Sequence, residues 1–301
     1  MKIGKNKLQI KYKQKASAYT DINKRVVYFL SFFVIAVLII VIIFISDAIK
    51  PPNVSLASRE IFDSGMIRVG VRDDLGTFSY YNDETDAYEG YEIDVCEEIF
   101  RRIFQDQVVI RYEPILSTTK LSKLYRRELD VCVGAFVPNS SDRIPLNYTD
   151  GIYIDASAFV VRKDQRLNVL NANKVIVGVL NDSYIDKNIE AYLNSVNEAK
   201  SEEMRQEYEI VQYACYQDLF DAVENFSADI LVSSMLFINQ NMREDLMVLP
   251  DRMLYHEYCV ALNAYDDELE KVFNESITAM KADGTLKEIQ DKWQVEALFL
   301  R

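Results

Sequence analysis

The feature that most constrains this chain is an uncharged apolar run, Val26 to Ile45, which reads VVYFLSFFVIAVLIIVIIFI. As a helix its 20 residues would reach about 30 Å, the thickness of a bilayer's hydrocarbon core. Only Ser31 carries a strongly polar side chain, and a helix satisfies its own backbone groups. A helix packed on a soluble core keeps one polar face, and this run has none. A transmembrane helix over residues 26–46 is therefore expected. Residues 1–25 carry eight Lys and Arg against Asp21 alone, and positive charge ahead of a first span keeps that side in the cytoplasm. The expected order is a basic cytoplasmic tail (1–25), a single pass through the cell membrane, a linker (47–59) and an extracytoplasmic domain (60–301). A cleaved signal peptide has the same polarity with a shorter core, about 7–15 residues. An uncleaved signal anchor is thus expected over cleavage at Ser46-Asp47-Ala48.

The charge changes sign after the run. Residues 1–50 hold nine basic and two acidic residues, while the remainder holds 25 basic and 45 acidic, a net of −20. An acidic exterior domain is a poor partner for nucleic acid or anionic lipid. The four cysteines (Cys96, Cys132, Cys215, Cys259) form no C-x-x-C pair, and the chain has one histidine. No metal site or cofactor is expected. Cys96, Cys132 and Cys259 sit in apolar patterns and read as core thiols, with a disulfide left open.

The segment from residue 60 alternates strands and helices. MIRVGV (66–71) reads as a strand, followed by a Tyr-rich hairpin. Apolar residues at 93, 95, 96, 99, 100, 103 and 104 mark a helix period. VVIRYEP and DVCVGAF flank a short helix over 118–128. The second half repeats this order. ASAFVVR, KVIVGVL, YEIVQYA, ADILVSS and HEYCVALN read as strands, with helices at 183–194 and 218–226. Helices over 268–282 and 286–293 close the chain, with Gly284 as C-cap and Thr285 as the next cap. This predicts an α/β fold.

In such sheets ligands lie beyond the C-terminal ends of strands. The residues there include Asp74, Phe78 and Tyr80, then Arg143, then Asp182 and Ser183, then Ser233 and Ser234. Hydroxyls and amides of this kind hold a small polar molecule. Arg143 can grip a carboxylate with both arms of its planar fork, or pair with Asp142 or Asp150 on the surface. Asp182 or Ser183 can equally be a plain helix cap, and Phe78 can equally be core. His256 has no local Cys or Asp partner and reads as structural. No nucleophile elbow, Walker loop or dinucleotide fingerprint is present, so an enzyme is not expected.

Residues 60–301 resemble the bacterial extracellular solute-binding proteins of family 3, the polar-amino-acid-binding components of ABC importers. The resemblance rests on KADGTLKEIQDKW (281–293), GYEIDVCEEI (90–99), IRVGVRDDLGTFSYY, ELDVCVGAF with SSDR, and LNYTDGIY, in the family's order. It implies a two-lobed, type II periplasmic-binding-protein-like clamshell preceded by the membrane helix. Lobe one would hold 60–153 and 258–301, lobe two 157–252, and the hinge 153–156 and 253–257. The partners implied are a small polar solute, such as an amino acid, and an ABC permease of the same membrane. By position Arg143 matches the arginine that grips the ligand's α-carboxylate, and Ser183 a threonine that assists it.

The sequence also departs from the family. The acid that pairs with the ligand's α-ammonium falls at Ser234, and serine cannot neutralise an ammonium. A glycine falls at Asp182, and stacking aromatics fall at Leu75 and near Ser117. These departures imply a different solute or a degenerate pocket. A membrane-bound sensor built on the same clamshell is the alternative to transport, although residues 1–25 contain no recognisable output domain.

Overall fold

The computed structural model describes residues 32, 33, 35, 37, 60, 61, 63–105, 107–115, 120–138, 144–181 and 183–295. Contacts divide the chain into two units, Met1–Asn53 and Val54–Arg301. In the first, Phe32, Phe33, Ile35 and Val37 are helical and exposed. The rest of the apolar run, and with it the expected transmembrane helix, lies outside the described residues. No helix among the described residues is long and apolar enough to cross a membrane.

The second unit is built twice over on one plan. In one half, β1 (Met66–Val71) lies between β4 (Val109–Pro114) and β5 (Val131–Phe136), all parallel, with β12 (Met253–Asn263) antiparallel on β5. In the other half, β8 (Lys174–Leu180) lies between β9 (Glu207–Tyr213) and β10 (Ile230–Ser234), again parallel, with β7 (Tyr153–Arg162) antiparallel on β10. β7 and β12 then pair with each other, so one sheet runs through both halves. Short strands β6 (Leu146–Tyr148) and β11 (Leu246–Val248) add to β12 and β7. The hairpin β2 (Tyr80–Asn82) and β3 (Ala87–Glu89) stands apart from that sheet.

Helices fill the crossovers: α1 (Tyr91–Phe104), α2 (Lys120–Tyr125), α3 (Arg166–Asn171), α4 (Tyr184–Glu198), α5 (Tyr216–Glu224), α6 (Met235–Asn241), α7 (Asp267–Asp283) and α8 (Thr285–Trp293). α1 buries Ile93, Val95, Cys96, Ile99, Phe100, Ile103 and Phe104, the stripe its period predicts. Each large apolar side chain so buried is worth about 1.5–3 kcal/mol. It ends at Gln105, which is left-handed at φ 49°.

Two local expectations need correction, and one element is new. The helix expected over 118–128 is shorter, and Arg127 at φ 59° turns the chain out of it. Gly284 does end α7 at φ 87°, but Thr285 is the first residue of α8 rather than its cap. Asp283 accepts the Thr285 N–H and hydroxyl instead. α6 was not anticipated, because seven residues are too few to show a helical period. All four cysteines are free thiols, three of them buried and Cys215 exposed.

Candidate functional site

The segments 153–156 and 253–257, expected as the hinge, lie in β7 and β12 and face each other across the ladder. Tyr153 stands opposite Tyr258, Ile154 opposite Glu257, and Asp155 opposite His256. The register slips between Met253 and His256, where Leu254 is left-handed at φ 47°. Such a bulge bends the strand that carries it.

From the first half, Arg72 follows β1 and grips Asp74 with two parallel hydrogen bonds of 2.8 and 2.7 Å. The Arg72 side chain is only 12% exposed, against 60% for Asp74. Burial opposes the guanidinium charge, but the bonds and charge of Asp74 outweigh it and hold the Arg72 pKa above its ordinary value. The stem of Arg72 lies over Gly134 near the end of β5. A Cβ there would come within 2.9 Å of Arg72 Cγ, and Gly134 has φ 151°. The next residue, Ala135, donates its N–H to the buried Glu92 carboxylate at the start of α1. Glu92 thereby ties that helix to the strand end.

From the second half, Ser183 caps α4 by accepting the Asp186 N–H, and Tyr184 opens that helix. Tyr216, opening α5, stacks on Phe237 of α6 with centroids 4.6 Å apart. Burial raises the Tyr216 pKa, and the positive charge of Arg72 pulls it the other way, so the two halves meet at this ring. α6 makes two further contacts across. Leu236 and Phe237 join the apolar cluster of Leu75, Phe78, Tyr153 and Tyr258, and Gln240 donates to the Thr77 hydroxyl at 3.3 Å.

Under this junction lies a buried polar network. Asp155 has no exposed surface. One of its oxygens accepts the Ala156 N–H at 2.8 Å, and the other the Leu236 N–H at 3.2 Å, in the first turn of α6. Ser234 hydrogen-bonds the same carboxylate and accepts the Tyr258 hydroxyl at 3.0 Å. Burial raises the Asp155 pKa, while His256 and these donors hold it back. Burial also lowers the His256 pKa, against the Leu254 carbonyl and Asp155, which favour its charged form.

The residues singled out from sequence therefore stand as follows. Asp74 is at the cleft, engaged by Arg72. Phe78 is completely buried, with the rings of Tyr91, Tyr153 and Tyr258 at 5.1, 5.3 and 5.5 Å. Ser183 is a helix cap. Ser234 is 2% exposed, its hydroxyl used by Tyr258 and Asp155. Arg143 and Asp182 lie outside the described residues. Sequence reading passed over Arg72, Tyr216, Asp155 and Gln240. Arg72 lies just past the strand read over 66–71. The others gain meaning from partners outside their own local segment: Leu236 for Asp155, 81 residues on, Phe237 for Tyr216, and Thr77 for Gln240, 163 residues before. His256 has no acid partner near it in the sequence, and the fold supplies one in space: Asp155 stands opposite it.

Residues 67–296 match the family model of bacterial extracellular solute-binding proteins, family 3. The ABC transporter glutamine-binding protein GlnH of Bacillus subtilis (strain 168) is 21% identical over 239 residues, covering 77% of this chain and 82% of that protein. The glutamine-binding protein of Geobacillus stearothermophilus is 22% identical over 175 residues, covering 58% of this chain and 63% of that protein. Among solved structures, a histidine-bound ABC uptake transporter substrate-binding protein from Streptococcus pneumoniae aligns with a TM-score of 0.66 at 16% identity, over 81% of this chain and 98% of that one. The ancestral amino acid-binding protein AncCDT-1, a precursor of cyclohexadienyl dehydratase, aligns at 0.65 and 19% identity, over 79% and 99%. These likenesses show the two-lobed periplasmic-binding-protein fold.

Proposed function

Because the chain belongs to the bacterial extracellular solute-binding proteins, family 3, we propose that it captures a small polar, carboxylate-bearing solute for an ABC importer. The solute is an amino acid or a derivative of one, and binding involves no catalysis. The observation that carries this reading is the extent of the family match, which takes in both halves of the sheet and both hinge strands. Relatives named for glutamine and a neighbour holding histidine support the solute class. The lobes close on the solute about β7 and β12, and solute contacts favour the closed arrangement. Arg143 grips the carboxylate, with Ser183 assisting. The apolar run at 26–45 tethers the domain to the outer face of the cell membrane, and a permease in that membrane receives the solute.

The test is dye-shift melting of the full-length chain against glutamine, glutamate, histidine, arginine and cysteine, with their N-acetyl derivatives. A bound solute at a hundred times its Kd stabilises by about 2.7 kcal/mol, so at least one melting curve should move up by several degrees. A panel that moves none would remove solute capture. For the tether, the chain should sediment with membranes, and protease added outside intact cells should digest residues beyond 60. A protected C-terminal domain would refute the topology.

One observation favours a second reading, a ligand sensor or a degenerate pocket. Ser234 stands where family members carry an acid, and its hydroxyl is already committed to Tyr258 and Asp155. Solute-dependent crosslinking of the 26–45 segment to a protein other than a permease would select the sensor.

A further inference from the structure

We infer that Asp155 and His256 form a proton-operated switch in the hinge, and that protonating His256 moves the lobes toward the open arrangement. The inference takes from the proposed function only that the lobes move about β7 and β12. Directly opposed residues of an antiparallel pair project from the same face of the sheet. Asp155 and His256 are such a pair, one on each hinge strand. Both are nearly out of water, at 0% and 7% exposure.

The histidine's tautomer follows from its partner. Nδ1 lies 2.7 Å from the Leu254 carbonyl, which can only accept. The neutral ring therefore carries its hydrogen on Nδ1, and the next proton must enter at Nε2. Tyr184 of α4 and Tyr258 of β12 cover the ring at 5.2 and 5.0 Å. Among the described residues, the titratable groups facing this pair are Tyr184 from α4, Tyr216 from α5 and Tyr258 from its own strand. The two tyrosines that feel the Asp155 charge, Tyr216 and Tyr258, are held neutral by burial.

A proton on Nε2 creates a buried cation whose one nearby anion among the described residues, Asp155, is already committed. Asp155 serves two backbone amides and Ser234. Turning that carboxylate toward an imidazolium loosens the Leu236 amide, and with it the first turn of α6. That helix holds the lobes together through Phe237 and through Gln240 on Thr77. Hydrating the ring by opening the hinge avoids the conflict. Proton binding favours whichever arrangement protonates more readily, so acid shifts the population toward the open one. Each pH unit separating the ring's pKa in the two arrangements changes their ratio by about tenfold.

The chain has a single histidine, so its ring carbon resonance reports this site without ambiguity. The experiment follows that resonance from pH 8 to 5 on the full-length chain. In parallel, spin-label distances are measured between Asp83→Cys in the β2–β3 turn and Glu190→Cys on α4, with Cys215→Ser removing the exposed thiol. The inter-lobe distance should lengthen with the same midpoint as the histidine titration. Asp155→Asn should move both midpoints to lower pH together, and His256→Gln should abolish the lengthening. A distance that ignores pH, or that still lengthens in His256→Gln, overturns the switch. If His256→Gln fails to fold, Asp155→Asn decides: midpoints that part company overturn it equally. Solute that shortens the distance at every pH, with no pH effect of its own, would reject the switch and leave solute capture standing.

Discussion

Asp155 sits among apolar side chains as a charged group, and its three donors are what make that tolerable. Two are backbone amides and one is Ser234. Replacing it by Asn puts an amide where an amide N–H must be accepted, and should cost about 2–4 kcal/mol in urea unfolding. A loss below about 0.5 kcal/mol would show that the network does not hold the hinge. His256 sets a pH dependence of definite sign. Its folded pKa lies below the ordinary value of roughly 6.5. The unfolded chain therefore takes the proton first, and stability falls as pH drops below that value toward the folded one. Asp155 is shifted upward, so its effect reverses at lower pH: the folded chain takes that proton first, and stability recovers toward roughly 3.9. His256→Gln should flatten the decline that begins near neutral pH, and a melting curve that keeps the wild-type slope would contradict the assignment. Gly134 makes a different point. It needs both a positive φ and the space taken by the Arg72 stem, so Gly134→Ala should cost about 1–3 kcal/mol.

At the scale of elements, α6 is the piece that joins the lobes. Seven residues cannot hold a helix by themselves. α6 is held by the Asp155 carboxylate at its first turn, by the Tyr216–Phe237 stack and by the apolar cluster beneath. Phe237→Ala should cost about 3–5 kcal/mol and should separate the lobes as well, seen as a longer spin-label distance. Gln240→Ala removes one exposed hydrogen bond and should change stability little while shifting the lobes the same way. At the other end of the chain, Asp283 caps α8, and the Thr285 hydroxyl and amide hold its pKa down to about 2. Its contribution is present above the ordinary carboxylate value and lost as pH falls through about 2. Asp283→Ala should lower the melting temperature at neutral pH, with the difference vanishing in strong acid.

Across the whole domain, the sheet does not stop at the proposed hinge. β12 pairs with β5 on one side and β7 on the other, and the largest apolar cluster contains Leu236 and Phe237 beside Phe78 and Ile93. The halves should therefore melt as one unit, giving a single calorimetric transition whose calorimetric and van't Hoff enthalpies agree. Two resolved transitions would mean that the lobes are joined by a flexible connection and not by shared core. The continuity gives the proposed switch a route to both lobes: β7 and β12 are the only strands that join the two halves of the sheet among the described residues.

The α/β alternation, the stripe of α1 and the order of family motifs were all readable from sequence. Each depends on periodicity or on neighbours along the chain, and local sterics and burial act at that range. The cleft chemistry was not readable in this way. Ser234 looked like a lost acid, yet a carboxylate stands beside it, supplied by Asp155 from 79 residues earlier in the chain. His256 looked solitary and is opposed by that same Asp155 across two strands. Hydrogen bonds and charges act through space over a few ångströms, and only the pairing of β7 with β12 brings those residues within that distance.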